Sequence, residues 1–255
     1  MTKGISLENK LSKCQSVIHL KSWDQLPNGE YLRQIVEKSL APWGPRIFGY
    51  HLIKLGALSA AVDIDDCTIN HQVNLSLNEE VAHIIGKLGQ LPLQSASVDT
   101  VFASFLLEFN ANPYLVLREI DRVLVCGGHL ILVGFNPLSP GFIGKILPKY
   151  QKELPWCGHF YLPSRIKDWL ALLAYKVLDD KRILHHSMIG DLNKGAFIQR
   201  GLASWLPGSG SIYIIVAKKL ASPLTPIREK RKITSSNWSS VPTAGKVSHK
   251  KHHQM

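Results

Sequence analysis

The stretch LPLQSASVDTVFASFLLEFNANPYLVLREIDRVLVCGGHLILVGFNP, residues Leu91–Pro137, decides the fold. Val98–Ala103 is a near-continuous apolar run interrupted by Asp99, the pattern of a strand buried on both faces. Asn112-Pro113 opens a helix. Asparagine suits the cap, and proline suits the first helical position, where its missing N–H costs nothing. Within Pro113–Leu124, Val116, Ile120, Val123 and Leu124 form an apolar stripe. Arg118–Asp121 and Glu119–Arg122 stand outside it at ion-pair spacing. Gly127-Gly128 supplies a break, and His129–Phe135 reads as a second buried strand. Strand, helix and strand in this order make a parallel crossover.

Working outward, Asn28 caps a predicted helix to Leu40, with Leu32, Ile35, Val36 and Leu40 at helical spacing; Pro42, Gly44 and Pro45 end it. His51–Leu55 reads as a short strand closed by Gly56. Ile69–Leu75 alternates as a strand should, and Val81–Ile85 is a third strand. Downstream, Ser164 caps a helix to Ala174, and Val177–Leu184 and Ser211–Lys218 are two further strands. The alternation predicts an α/β, doubly wound, Rossmann-like sheet with an antiparallel edge.

The 255 residues are 45% hydrophobic and 19% charged, which suits one large globular domain. No apolar run is long enough for a membrane helix, and Met1–Leu20 carries Lys3, Glu8, Lys10 and Lys13 without an apolar block. A cytoplasmic location is expected. Cys14, Cys67, Cys126 and Cys157 are too scattered for a disulfide framework and read as reduced thiols. The net charge is +11, but residues 221–255 hold seven lysines and arginines against Glu229 alone, so +6 of it sits in a Ser-, Pro-, Thr- and His-rich tail. That tail reads as disordered. It is the route by which nucleic acid would be held, through charge. A basic, aromatic-interleaved surface inside the domain would carry that idea further, and the linear sequence displays none. His185-His186 and His249, His252 and His253 lack the partners of a metal site; no metal is expected.

Leu91-Pro92, Val98-Asp99, Arg118-Glu119, Arg122-Val123-Leu124 and Gly127-Gly128 occur in one order and spacing. As a composite they resemble the type 11 methyltransferase domain of class I, S-adenosylmethionine (SAM)-dependent methyltransferases. The resemblance covers about residues 45–220, after an N-terminal helical extension (1–44) and before the tail (221–255). Phe48–Gly56 and His71–Asn74 are similar to stretches of small proteobacterial methyltransferase-like proteins. The resemblance implies a seven-stranded, mostly parallel sheet with one antiparallel strand, and SAM across the carboxyl ends of its first strands. It places cofactor contacts at Gly56, Ala57, Asn74, Lys87, Leu88, Ala103 and Ser104, and substrate contacts at Asn136, His159 and Tyr161.

The cofactor half departs from that pattern. Where the family has an acidic residue and a GxGxG loop, Gly56 stands alone in Leu52–Ser59. Asn74 replaces the carboxylate that receives the ribose hydroxyls and lacks the strength of an ionised acceptor. Lys87 replaces the acid that meets the adenine amino group, and lysine offers only donors. Twelve residues separate Gly56 from Ile69, which limits the first crossover helix to one or two turns. Asp63, Asp65 and Asp66 crowd that segment. Asn112-Pro113-Tyr114 resembles the (D/N)PPY box of amino-methylating enzymes, but its place beyond Ala103 favours the helix cap. The resemblance implies methyl transfer to a small molecule. A noncatalytic protein that kept the fold and lost SAM is the alternative, and an RNA-associated methyltransferase using the tail is the third reading.

Overall fold

The computed structural model describes residues 20–139, 142, 153–184 and 210–220. The chain divides into two units between Ser222 and Pro223. The second unit lies outside the described residues, as does the expected disorder of 221–255.

Seven strands form one sheet: β1 (His51–Leu55), β2 (His71–Ser76), β3 (Ile84–Ile85), β4 (Val98–Ser104), β5 (Leu124–Phe135), β6 (Tyr175–Ile183) and β7 (Ile212–Lys219). Their order across the sheet is β3-β2-β1-β4-β5-β7-β6. The pairs from β3 to β5 are parallel, and β7 runs antiparallel to both its neighbours. One reversed strand in a mostly parallel sheet is what the family resemblance implied; the antiparallel strand expected at the edge sits one place in from it. Strand order reverses between β1 and β4, which makes their carboxyl ends the crevice where open α/β sheets take ligands.

The helices are α1 (Gly29–Leu40), α2 (Ala57–Ala60), α3 (Pro113–Val123) and α4 (Pro163–Leu172). Several expected caps differ. Asn28 precedes α1 in the left-handed region at φ 55° and makes no side-chain cap. Asn112 makes none either. Helix α4 begins at Pro163, not at Ser164, because proline at the first position pre-sets the helical turn. Gly127-Gly128 does not separate α3 from β5: the strand starts at Leu124 and absorbs Gly127 at φ +83°. Glu119–Arg122 pairs as expected at 2.9 Å. Asp121 instead meets Lys219 on β7 at 3.1 Å.

Two apolar layers cover the sheet. On one side Trp23, Leu32, Val36, Leu40 and Trp43 pack with Leu52, Phe102 and Ile131. On the other Val116, Leu117, Ile120 and Val123 of α3, with Ile166 and Leu170 of α4, cover Ile53, Val101, Leu132 and Ile215. The alternation along β4 and β5 sends successive side chains into opposite layers.

The sequence motifs clamp these layers. Asp99 accepts hydrogen bonds from the backbone N–H groups of Tyr50 (2.8 Å) and His51 (2.9 Å), fixing the entry to β1. Arg122 donates to the carbonyls of Leu91 and Leu93, both at 2.9 Å, while Glu119 accepts from the Leu91 N–H at 3.0 Å. Asp99, Glu119 and Arg122 of the deciding stretch therefore hold backbone.

Candidate functional site

At the carboxyl ends of β1, β2 and β4 lies a hollow walled by Gly56, Ala57 and Leu58, by Ser76, Leu77 and Asn78, by Leu88, and by Ser104–Leu106 with Phe109 and Asn110; Leu20 lies across it. Gly56 turns the chain out of β1 at φ +83°, a conformation that favours glycine. Its N–H donates to the Leu75 carbonyl at 2.8 Å, joining the ends of β1 and β2. Helix α2 then occupies four residues, as the short crossover required.

The opposite wall is set by two serines. The Ser104 N–H donates to Ser59 Oγ at 2.8 Å, and the two hydroxyls lie 3.0 Å apart. Ser59 is fully buried, so this pair pins α2 against the end of β4. Phe105 follows at φ 49° and stacks on Phe135 with ring centroids 4.2 Å apart. Trp23 closes the same corner, edge-on to Phe105 at 5.6 Å, its indole N–H bound to the Leu58 carbonyl at 2.9 Å.

Of the expected cofactor residues, Gly56, Ala57, Leu88 and Ser104 come together in this hollow. Asn74, Lys87 and Ala103 do not line it. Asn74 pairs with Lys54 in mid-strand; β2 continues to Ser76, so the residues at its carboxyl end are Ser76–Asn78. Asn74 lines a separate depression with Glu80 and His83. Lys87 is exposed, and Ala103 is buried in the layer under α3. Asp63, Asp65 and Asp66 are exposed. Asp63 stands 3.9 Å from the ammonium of Lys54, a buried β1 residue that also donates to the Val62 carbonyl at 2.8 Å. Burial holds Lys54 below the usual lysine range, partly offset by Asp63. Among the described residues no group of three or more His, Cys, Asp or Glu is placed to hold a metal.

The expected substrate residues separate. Asn136 is buried; its amide donates to the Gly210 carbonyl at 2.8 Å and accepts from the Leu138 N–H at 3.1 Å, stapling the end of β5 to the approach to β7. His159 is exposed, and its backbone N–H binds the Glu108 carbonyl at 2.8 Å. Tyr161 lines a second depression, between α3 and α4.

Sequence reasoning passed over Glu108, a lone charge inside Phe105–Phe109. Its carboxylate is buried, accepts from the Phe135 N–H at 2.9 Å and lies 3.5 Å from the Tyr213 hydroxyl; among the described residues Oε2 has no hydrogen-bond partner. Loss of water pushes this carboxyl up to about 7, against the bonds that would lower it. Burial also raises the Tyr161 phenol, and the nearby charge of Glu108 adds to that. Gly134 makes the arrangement feasible: a Cβ there would lie 2.2 Å from the Tyr213 hydroxyl oxygen and 2.3 Å from Glu108 Oε1.

The groups around the hollow suit SAM in kind. Ser76 and Asn78 offer a hydroxyl and an amide at the end of β2, where two ribose hydroxyls would be met. Leu77, Leu88 and Phe109 offer an apolar wall for a purine ring, and Gly56 allows close backbone approach. The space is tight: about 520 Å³ lies between the walls, open solvent included, but only about 40 Å³ admits the centre of a water molecule. That is room for roughly three waters. One cause is Leu106, whose Cδ1 would lie 3.0 Å from a Cβ placed on Gly56.

Residues 45–132 match a family described as Methyltransferase domain. Over 219 residues the chain is 32% identical to the Escherichia coli (strain K12) "Uncharacterized protein YafS", covering 85% of this chain and 89% of that one. Among solved structures, a chain from the complex of the Haloferax volcanii Trm112 methyltransferase activator matches at TM-score 0.55 and 16% identity, covering 76% of this chain and 93% of that chain. A SAM-dependent methyltransferase from Archaeoglobus fulgidus matches at TM-score 0.51 and 15% identity, over 73% and 94%. At such identities the structures speak for the fold alone, and the family match speaks for the lineage. Sheet order, the motif clamps and these matches agree: the chain belongs to the class I SAM-dependent methyltransferase family.

Proposed function

We propose that this protein transfers a methyl group from SAM to a small molecule, with SAM held in the hollow beside Gly56. The observation that carries the reading is the convergence of Gly56, Ser76–Asn78, Leu88 and Ser104 at the switch point of the sheet. SAM supplies an electrophilic methyl group on a sulfonium. The protein's task is then to align an acceptor with that group and to exclude water, a contribution from proximity rather than from a strong base. Gly56 and the Ser59–Ser104 pair would set the floor. Phe105, stacked on Phe135, would wall the acceptor side.

Calorimetry tests the reading with SAM and with its demethylated product. Binding of either is expected, and Leu106→Ala should tighten it by clearing the space over Gly56. Absence of heat with both ligands, in the parent and in Leu106→Ala, would overturn it.

A second reading, a noncatalytic binding protein of the same fold, has its own support in the small free volume and in the absence of a carboxylate from the hollow's lining. It expects no SAM binding even after Leu106→Ala.

A further inference from the structure

Tyr114, Leu115 and Arg118 of α3 face Tyr161, Arg165 and Trp169 across a groove. It is an open groove of about 460 Å³ on the surface between the two helices. Three aromatic rings meet in it. Trp169 lies 5.3 Å from Tyr161 and 6.2 Å from Tyr114 between ring centroids, tilted at 56° and 58°. Tyr114 is 37% exposed, so ring surface is left open to solvent.

The charge in the groove has one sign. No acidic residue lines it. Arg118 and Arg165 are exposed, and neither is among the ion pairs of the described residues. Arg165 lies over the Trp169 ring at 5.4 Å, which holds the guanidinium at the ring without neutralising it. The contrast within one motif is informative. Arg122 is used up on backbone carbonyls and Glu119, whereas Arg118, one turn earlier, feels the Glu119 charge without forming an ion pair with it.

The groove also adjoins the hollow. Asn110 lines the hollow and Asn112 lines the groove, and Asn110 Oδ1 accepts the Asn112 N–H at 3.1 Å.

We propose that this groove binds a nucleotide unit, its base stacked among Tyr114, Tyr161 and Trp169 and its phosphate held by Arg118 and Arg165. Stacking on aromatic side chains tolerates any base, because every base has a π-face. Guanidinium groups match phosphate in geometry as well as charge. The unit can come from a free nucleotide or from a single strand. The groove's use as a methyl-acceptor site rests on the methyltransferase reading; binding there does not, and is measured without SAM.

The test uses the full chain and a fluorescein-labelled single-stranded RNA of about ten nucleotides, followed by anisotropy over a range of salt, with AMP and polyglutamate as competitors. Binding is expected. Trp169→Ala should weaken it by roughly tenfold or more, while Trp169→Phe, which keeps a ring, retains most of it. Arg118→Ala with Arg165→Ala, both on the surface, should lower the salt slope by about 1.4. Displacement by AMP identifies the nucleotide alone as sufficient; binding without displacement by AMP identifies the strand as the source. The proposal is overturned if no RNA binds, if polyglutamate displaces the bound RNA, or if the arginine-pair variant and Trp169→Ala both bind like the parent. In the last case the contact lies elsewhere on the chain, as on the basic tail.

Discussion

In the half of the sheet built by β4, α3 and β5, the elements run 7, 11 and 12 residues. In the half built by β1, α2, β2 and β3 they run 5, 4, 6 and 2. The first half is anchored by Asp99, Glu119 and Arg122, whose charged side chains all bind backbone. The second supplies one wall of the hollow beside Gly56 and is joined by small contacts, Gly56 to Leu75 and Ser59 to Ser104. The difference teaches that the family's most legible motif reports a scaffold. The residues proposed to meet SAM come from both halves, Gly56–Leu58 and Ser76–Asn78 from the thinner one and Ser104–Leu106 from the end of β4.

Substitutions can break or sharpen this contrast. The largest effect is expected in the thick half: Phe102→Ala, at a fully buried position, should cost about 3–5 kcal/mol, read from urea unfolding. An equal or smaller loss than from any change at the hollow would undo the comparison.

Next comes Glu108. Its folded carboxyl is pushed up to about 7 from an ordinary 4.5. The folded state therefore keeps the proton after the unfolded state has released it. Stability from this group is full below pH ~4.5 and is lost as pH rises to ~7, by up to about 3 kcal/mol. Unfolding at pH 5 and pH 8 should show the decline in the parent and a flatter profile in Glu108→Gln. An unchanged slope in the variant would remove Glu108 as its source.

Ser59→Ala should cost about 1–3 kcal/mol, since it leaves the buried Ser104 N–H without its acceptor. Ser59→Thr, which keeps the oxygen, separates that loss from packing, and thermal melts read both. The smallest effect discriminates within β2. Asn78→Ala should weaken SAM about fivefold, by loss of one neutral hydrogen bond, and Asn74→Ala should leave it unchanged; the reverse order by calorimetry would restore Asn74 as the ribose contact.

How far the site was legible follows from the same residues. Gly56, Ala57, Leu88 and Ser104, which the family resemblance implied as cofactor contacts, line one hollow. Asn74 falls outside the hollow because the end of β2 is set by pairing with β1, and the alternation of Ile69–Leu75 alone does not mark where it stops. Glu108 could have been noticed as a charge in an apolar run. Leu106 offered no signal, since a leucine beside a strand looks like core.

The sequence by itself determined the order and kind of the elements. Burial on a strand repeats every second residue and on a helix every third or fourth, so both are written locally. It also determined the thinness of the cofactor half, because chain length between strands limits the crossover helix. The tertiary structure alone decided which residues share a wall. Leu106 over Gly56, Glu108 under Tyr213, and Arg118 opposite Arg165 and Trp169 join segments far apart in the chain. Such meetings depend on strand register and helix packing, which side-chain periodicity leaves open.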